Sequence, residues 1–228
     1  MTQMELECFI DAASGHISRI ESGMINPTKE TLDKIAQALK LNDKERALLF
    51  SGNQTVSDDE VETVIHYCKP YLEKSAYPAY LSDDRWFIYL WNDKLLEMLH
   101  VSPEMARTMK PIHELEVIFD PMLPVRNDLP KEEWEALAYS QLKHFIHDTS
   151  AYLRLHEPWL EELLPRLNQI PGFAPLWERA ITEKREQLPD DERYVLFHDE
   201  GRERRYYISA LNIDRYPRFN LIELIRSS

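Results

Sequence analysis

At 228 residues the chain exceeds the commonest single-domain size, and a composition 43% hydrophobic and 29% charged is that of a globular protein able to bury a sizeable core. Forty carboxylates against 27 lysines and arginines leave a net charge of −13, which excludes a generic nucleic-acid coat, because phosphate neutralisation needs a cationic surface. No run approaches the ~20 apolar residues of a membrane span, no signal peptide opens the chain, and two isolated cysteines, Cys8 and Cys68, give neither a disulfide framework nor a metal clip, so a reducing cytoplasm is expected.

Thr2, with Glu5 three residues on, forms a capping box at the start of a first helix. Met4, Leu6, Phe9 and Ile10 then make one apolar face. A second helix is expected from Ser14 to Glu21, with Ile17 and Ile20 inward and Gly23 as its stop. Pro27 and Thr28 open a third, striped by Leu32, Ile35, Ala36 and Leu39, and a short fourth covers Asp43 to Phe50. The polar stretch Ser51–Ser57 reads as a linker. Ser57 caps a long helix to about Ser75, with Val61, Val64, Ile65, Cys68 and Leu72 inward, in which Pro70 is expected to cause a kink or break.

Beyond Pro78 the period changes. Ala79–Leu81 and Arg85–Trp91 are aromatic and β-branched and bracket Ser82-Asp83-Asp84, a hairpin pattern. Alternation places Trp86 and Ile88 on one side, and Phe87, Tyr89 and Trp91 on the other. Asn92 opens a helix through Leu95, Leu96 and Leu99. Residues 103–186 read as mostly helical, including Lys131–Leu153 with Trp134, Leu137, Leu142, Phe145 and Ile146 inward, and then helices near 157–169 and 172–186. Strands return at Arg193–His198, Arg205–Ile213 and Phe219–Ile225, with Asp199–Arg202 as a turn.

The run Thr2-Gln3, Leu6, a turn, Ile17-Ser18-Arg19-Ile20-Glu21 and Gly23, followed by Asn26-Pro27-Thr28, Glu30-Thr31-Leu32 and Lys34–Leu39, resembles the Cro/repressor-type helix-turn-helix, the xenobiotic-response-element family. The resemblance implies an all-α DNA-binding domain over residues 1–52 that reads a double-stranded operator as a homodimer. Ser14, Gly15, His16 and Ser18 sit on the helix that enters the major groove. Gln3 and Arg19 are placed to bond phosphates or base edges, and backbone amides near Asn26 and Thr28 favour a phosphate. The family's small residue after the helix Leu is here Glu7, expected to crowd the helix pair, and its turn glycine is Asp11, which tolerates a left-handed backbone. The family also has a helix ahead of Thr-Gln. The chain begins at Met1 without it, so the start is read as internal to a longer reading frame, with Leu6, Phe9, Ile17 or Ile20 left exposed or covered by a partner. Residues 1–52 carry six lysines and arginines against eight carboxylates, so weak non-specific affinity and a dependence on dimerisation are expected.

Residues 58–228 resemble the PAS-like ligand-binding domain of MmyB-type regulators. Tyr77–Tyr80, Arg85-Trp86, Asn92, Ile118–Asp120, Glu133-Trp134, Leu153-Arg154, Leu160–Leu167 and Gly172–Trp177 carry the likeness. It implies an antiparallel sheet flanked by helices, α+β overall, around a pocket for a small apolar molecule such as a fatty acid. Tyr80, Trp86, Ile88 and Trp134 are the candidate apolar lining, and Asn92 and Arg154 the candidate polar groups; the same aromatics are equally well explained as core. His144, His147 and His156 lack the order of a zinc site, and Glu132-Glu133 and Glu161-Glu162 read as solvated helix faces. No catalytic constellation is present, so an enzyme is not expected. The functional expectation is a ligand-responsive, DNA-binding transcriptional regulator. The alternative is a ligand-binding or dimerisation protein that no longer binds DNA because its helix-turn-helix is incomplete.

Overall fold

The computed structural model describes residues 1–22, 24–42, 45–46, 49–50, 56–109, 111–127, 129–149, 157–183, 194–199 and 202–227. Gly23, residues 51–55 of the linker, Arg154 and His156 lie outside them. Two compact units follow one another, Met1–Gln54 and Thr55–Ser228.

The first unit holds α1 (Gln3–Phe9), α2 (His16–Glu21) and α3 (Lys29–Ala38), and residues 45–46 and 49–50 are also helical. The capping box forms: Glu5 N donates to Thr2 Oγ1 at 3.2 Å, and Thr2 N to Glu5 Oε2 at 2.7 Å. Leu6, Ile10, Ile17 and Ile35 make the core. The expected apolar face of α1 is therefore split. Leu6 and Ile10, one turn apart, turn inward, while Met4 and Phe9 stay 72% and 73% exposed, because α2 and α3 cover only the Leu6–Ile10 side. Asp11 adopts the left-handed turn, φ 55°.

The second unit opens with α4 (Asp58–Lys74), capped by Ser57. The helix runs unbroken through Pro70, contrary to the expected break. Pro70 is exposed and lies in the last turns, so the ring costs one backbone bond where few remain to lose. Then come β1 (Ala79–Asp83), β2 (Phe87–Trp91), α5 (Asp93–Met98), α6 (Pro103–Thr108), β3 (Ile112–His113), α7 (Glu114–Phe119), α8 (Pro124–Asn127), α9 (Lys131–Thr149), α10 (Pro158–Asn168), α11 (Phe173–Thr182), β4 (Tyr194–Asp199), β5 (Arg202–Asn212) and β6 (Phe219–Arg226). The described strands form one antiparallel six-stranded sheet, in the order β3-β2-β1-β6-β5-β4. Sheet and helices together make an α+β fold.

Alternation along β1 and β6 sorts the sheet into two faces. Ala79, Leu81, Phe219 and Leu221 pack with Val64, Cys68 and Leu72 of α4. Tyr80, Ile222 and Leu224 face the opposite way, into the larger core built by α5 to α11. Burial raises the Cys68 thiol to about 11, which keeps it protonated and inert.

Two details of the β1–β2 hairpin differ from the alternating pattern. The pairing shifts between Leu81, opposite Leu90, and Ser82, opposite Ile88, so Tyr89 is an extra residue in a bulge. Tyr89 and Leu90 consequently pack on the α4 side, and Trp91 returns to the side of Ile88. Trp86 also precedes the strand instead of lying on it. Asp83 Oδ1 accepts from Arg85 N at 3.0 Å and Phe87 N at 2.9 Å, and Trp86 N donates to Asp83 O. This tight loop holds Trp86 at φ +69°, a rare conformation for a bulky side chain.

Candidate functional site

In the first unit the candidate residues gather around α2. Gly15 is its N-cap at φ 77°, a left-handed position with open space where a Cβ would stand. Glycine offers no side chain to cap the helix. The acceptor comes instead from α1: Glu7, 6% exposed, takes a hydrogen bond from Ile17 N at 2.9 Å. The expected crowding by Glu7 is replaced by a charge-assisted cap that locks α2 onto α1. Glu7→Ala is expected to cost this unit about 1–2 kcal/mol, whereas Glu7→Gln, which keeps an acceptor, recovers most of it. Hydrogen exchange at the Ile17 amide in the intact chain measures the difference.

With Ile17 as its buried residue, α2 leaves Ser14, Ser18 and Arg19 exposed, and Gly15 and His16 half-buried. Arg19 folds back so that Nε donates to Gly15 O at 3.2 Å. Gln3 donates to Glu21, which joins the start of α1 to the end of α2. Asn26 is exposed, and Thr28 caps α3, its Oγ1 accepting from Thr31 N at 3.2 Å. The eight candidates are thus all within this unit, and two of them, Gln3 and Thr28, also hold helices in place.

In the second unit a cavity of about 60 Å³ lies between the sheet and the helices. Tyr80, Ile88, Val195, Ile208 and Leu224 line its sheet side, and Leu95, Leu99, Glu114, Val117, Ile118, Val125 and Gln141 its helical side. The Tyr80 hydroxyl donates to Glu114 Oε2 at 3.1 Å, and Gln141 Nε2 donates to Tyr194 O at 3.2 Å. Glu114 and Gln141 are members that sequence patterning missed; their polarity inside an apolar helical stripe was the available signal.

The other candidates lie elsewhere in the unit. Trp86 stands edge-on to Phe145 at 5.4 Å, in an aromatic group with His113, Trp159 and Trp177 around the same ring. Trp134 donates its indole N–H to Ile118 O at 3.0 Å and lies under the Arg126 guanidinium at 4.2 Å, beside a separate surface hollow. Asn92 is 5% exposed and spends its whole amide on the backbone: Oδ1 accepts from Ala79 N and Leu95 N, and Nδ2 donates to Leu72 O and Tyr77 O.

A buried polar cluster sits at the hairpin end. Asp83, 2% exposed, accepts from Tyr89 Oη at 3.0 Å as well as from the two amides above. Burial first, and the neighbouring Asp84 second, push its carboxyl up to about 6. Arg218 clasps Asp84 at 3.2 Å with both side chains under 10% exposed. His113 is fully buried; Nδ1 accepts from Leu115 N, so the proton sits on Nε2 and is donated to Arg85 O at 2.8 Å. Burial holds this imidazole down at about 3, neutral. Among the described residues no group of three or more His, Cys, Asp or Glu is placed to hold a metal ion, and no helix is long and apolar enough to cross a membrane.

Residues 14–45 match the helix-turn-helix family model, a span that takes in α2 and α3. No curated protein matches the chain. The match is of the Cro/C1 type and supports a DNA-binding transcription regulator.

Proposed function

We propose that the chain is a sequence-specific regulator that reads a double-stranded operator as a homodimer through α2, and that its second unit is a PAS-like, MmyB-type sensor of a small apolar ligand. The observation that carries the DNA reading is the solvent-facing pair Ser18 and Arg19, with Ser14 exposed just ahead of the cap, on a helix anchored by Ile17 and Glu7. The presentation suits a helix whose early residues meet base edges while its neighbours meet phosphate. A dimer engages two half-sites about one helical turn, ~34 Å, apart.

The sensing half of the proposal is supported by the cavity at Tyr80 and Ile88. Its 60 Å³ is well below the roughly 150 Å³ that admits a benzene ring. An acyl chain or any comparable ligand outgrows this half-open space and must displace part of its lining to be held. Binding and wall movement are then one event, which gives a ligand different affinities for two arrangements and so a means of shifting operator affinity.

The test is fluorescence anisotropy with DNA from upstream of the chain's own gene, at several salt concentrations, with and without fatty acid. Arg19→Ala is expected to weaken specific binding about tenfold or more and to flatten the salt dependence by about one ion per chain. Binding indifferent to Arg19 removes the DNA reading, and operator affinity unmoved by a ligand that does bind removes the sensing mechanism. The exposure of Met4 and Phe9 favours a second reading, in which α1 makes protein contacts and DNA binding has been lost; absence of any shift on that DNA selects it.

A further inference from the structure

The outer side of α4 carries a symmetrical pattern of rings and charges. With Val64, Cys68 and Leu72 turned into the sheet, Glu60, Thr63, Tyr67, Tyr71 and Lys74 follow one another at three- and four-residue spacing along an adjoining stripe. Tyr67 and Tyr71 are 39% and 62% exposed, with ring centroids 5.9 Å apart. Tyr216, from the turn before β6, stands edge-on to Tyr67 at 5.6 Å. Exposed tyrosines that already hold one another bring a large contact area and have little side-chain freedom left to lose, the character of an interface centre.

Charge is distributed about the same centre. Asp58, Asp59, Glu60 and Glu62 precede Tyr67, and Lys69, Glu73 and Lys74 follow it. Lys69 pairs with Glu73 at 3.8 Å, which leaves Lys74 as the charge of the second end. Glu60 stands seven residues before Tyr67 and Lys74 seven after, two helical turns or ~10.5 Å in either direction. Thr63 and Tyr71 are likewise each four residues from it. A stripe acidic at one end, basic at the other and aromatic in the middle is complementary to itself when reversed. Turned end for end about a twofold axis, a second copy sets Tyr67 on Tyr67, Tyr71 on Thr63, and Glu60 on Lys74 twice over, the self-matching contact that a twofold dimer requires. A nucleic acid or a peptide of one sign meets repulsion at one end or the other, so this charge arrangement selects a copy of the same chain.

We propose that α4 is the homodimer interface, two copies crossing antiparallel at Tyr67 with Glu60 of each facing Lys74 of the other. This rests on the homodimer reading above. The experiment is sedimentation velocity and native mass spectrometry on the full chain, on Glu60→Lys, on Lys74→Glu and on their equimolar mixture, one variant made isotopically heavy. The parent is expected to be a dimer. Each variant alone sets like charges together twice and is expected to dimerise about tenfold or more weakly. The mixture restores both opposite pairs and is expected to regain a dimer containing one chain of each kind. A variant that merely misfolds gains nothing from its counterpart. As an independent measure, Tyr67→Cys in a Cys8→Ser background is expected to cross-link two chains under mild oxidation. Variants that dimerise like the parent, or cysteines at 67 that stay uncoupled in a dimeric parent, overturn this interface and leave the homodimer reading standing. A monomeric parent at micromolar concentration overturns both.

Discussion

Asn92→Ala is expected to destabilise the Thr55–Ser228 unit by about 2–4 kcal/mol, a large effect for one small polar side chain. Four backbone groups bond to this amide: Ala79 N and Leu95 N, both at 3.0 Å, Tyr77 O at 2.8 Å and Leu72 O at 3.3 Å. Leu95 N also donates to Asn92 O, Leu72 O also accepts from Ser75 N, and Tyr77 O from Ser75 Oγ, so Ala79 N is the group that leans on the amide most. The four come from the end of α4, the segment before β1, the first residue of β1 and the first turn of α5, so one residue ties together four pieces of chain. Loss of an ordinary N-cap costs ~1 kcal/mol. Here the alanine also strands the buried Ala79 N–H, at about 1–3 kcal/mol. Asn92→Asp separates the two contributions. Aspartate caps a helix as well as asparagine does, yet it replaces the two amide donors with a carboxylate aimed at two carbonyls. If capping were the whole role, Asp would be tolerated. The tie predicts that Asp destabilises strongly at pH 7 and less in acid. Urea unfolding followed by tryptophan fluorescence measures both, and a loss near 1 kcal/mol for Asn92→Ala, with Asp harmless, removes this account.

The amide also marks where sequence reasoning stops. That Asn92 opens a helix was legible, because an Asn before Asp93 and the apolar Leu95 is a cap pattern. That its other three bonds reach residues 72, 77 and 79 was not, since those partners are set by how α4 meets the sheet. The same division runs through the hairpin. Period-two alternation located β1 and β2, but the bulge at Tyr89 comes from pairing, and it moves Trp91 to the other face. Caps and stripes of the first three helices were readable because they are local; Glu7 capping α2 across ten residues was not, and it entered as a misfit. For the cavity, Tyr80 and Ile88 were readable as strand residues of one face. Trp86 and Trp134 offer only large rings as a signal, and a large ring is as well used in a core: Trp86 closes on Phe145 and Trp134 on Phe119.

His113→Asn is expected to cost the second unit stability at neutral pH and progressively less in acid. In the folded chain His113 binds a proton only near pH 3, against its ordinary 6.5, because burial refuses the charge. The unfolded chain therefore takes up that proton first. The stability His113 lends is complete above pH 6.5 and drains as pH falls toward 3, at about 1.4 kcal/mol per unit. Asp83 acts in the opposite sense. Its carboxyl is raised to about 6 from an ordinary 3.8, so its contribution is complete below 3.8 and is lost as pH rises through 6. Between pH 6 and 4 the two slopes nearly cancel, and the parent profile conceals both. Asparagine at 113 keeps an acceptor for Leu115 N but cannot titrate, and it is too short to reach Arg85 O. It also leaves space where Phe87 and Phe145 now meet the imidazole edge-on at 5.0 and 5.1 Å. His113→Asn is thus less stable than the parent at pH 7, and the gap closes by about 1.4 kcal/mol for each unit of acidification below 6.5. For Asp83→Asn the difference tilts the other way, the parent gaining on the variant as pH falls from 6 to 4. Urea unfolding at half-unit steps from pH 4 to 7.5 reads both slopes. Profiles that run parallel to the parent's show that neither group titrates as its burial dictates.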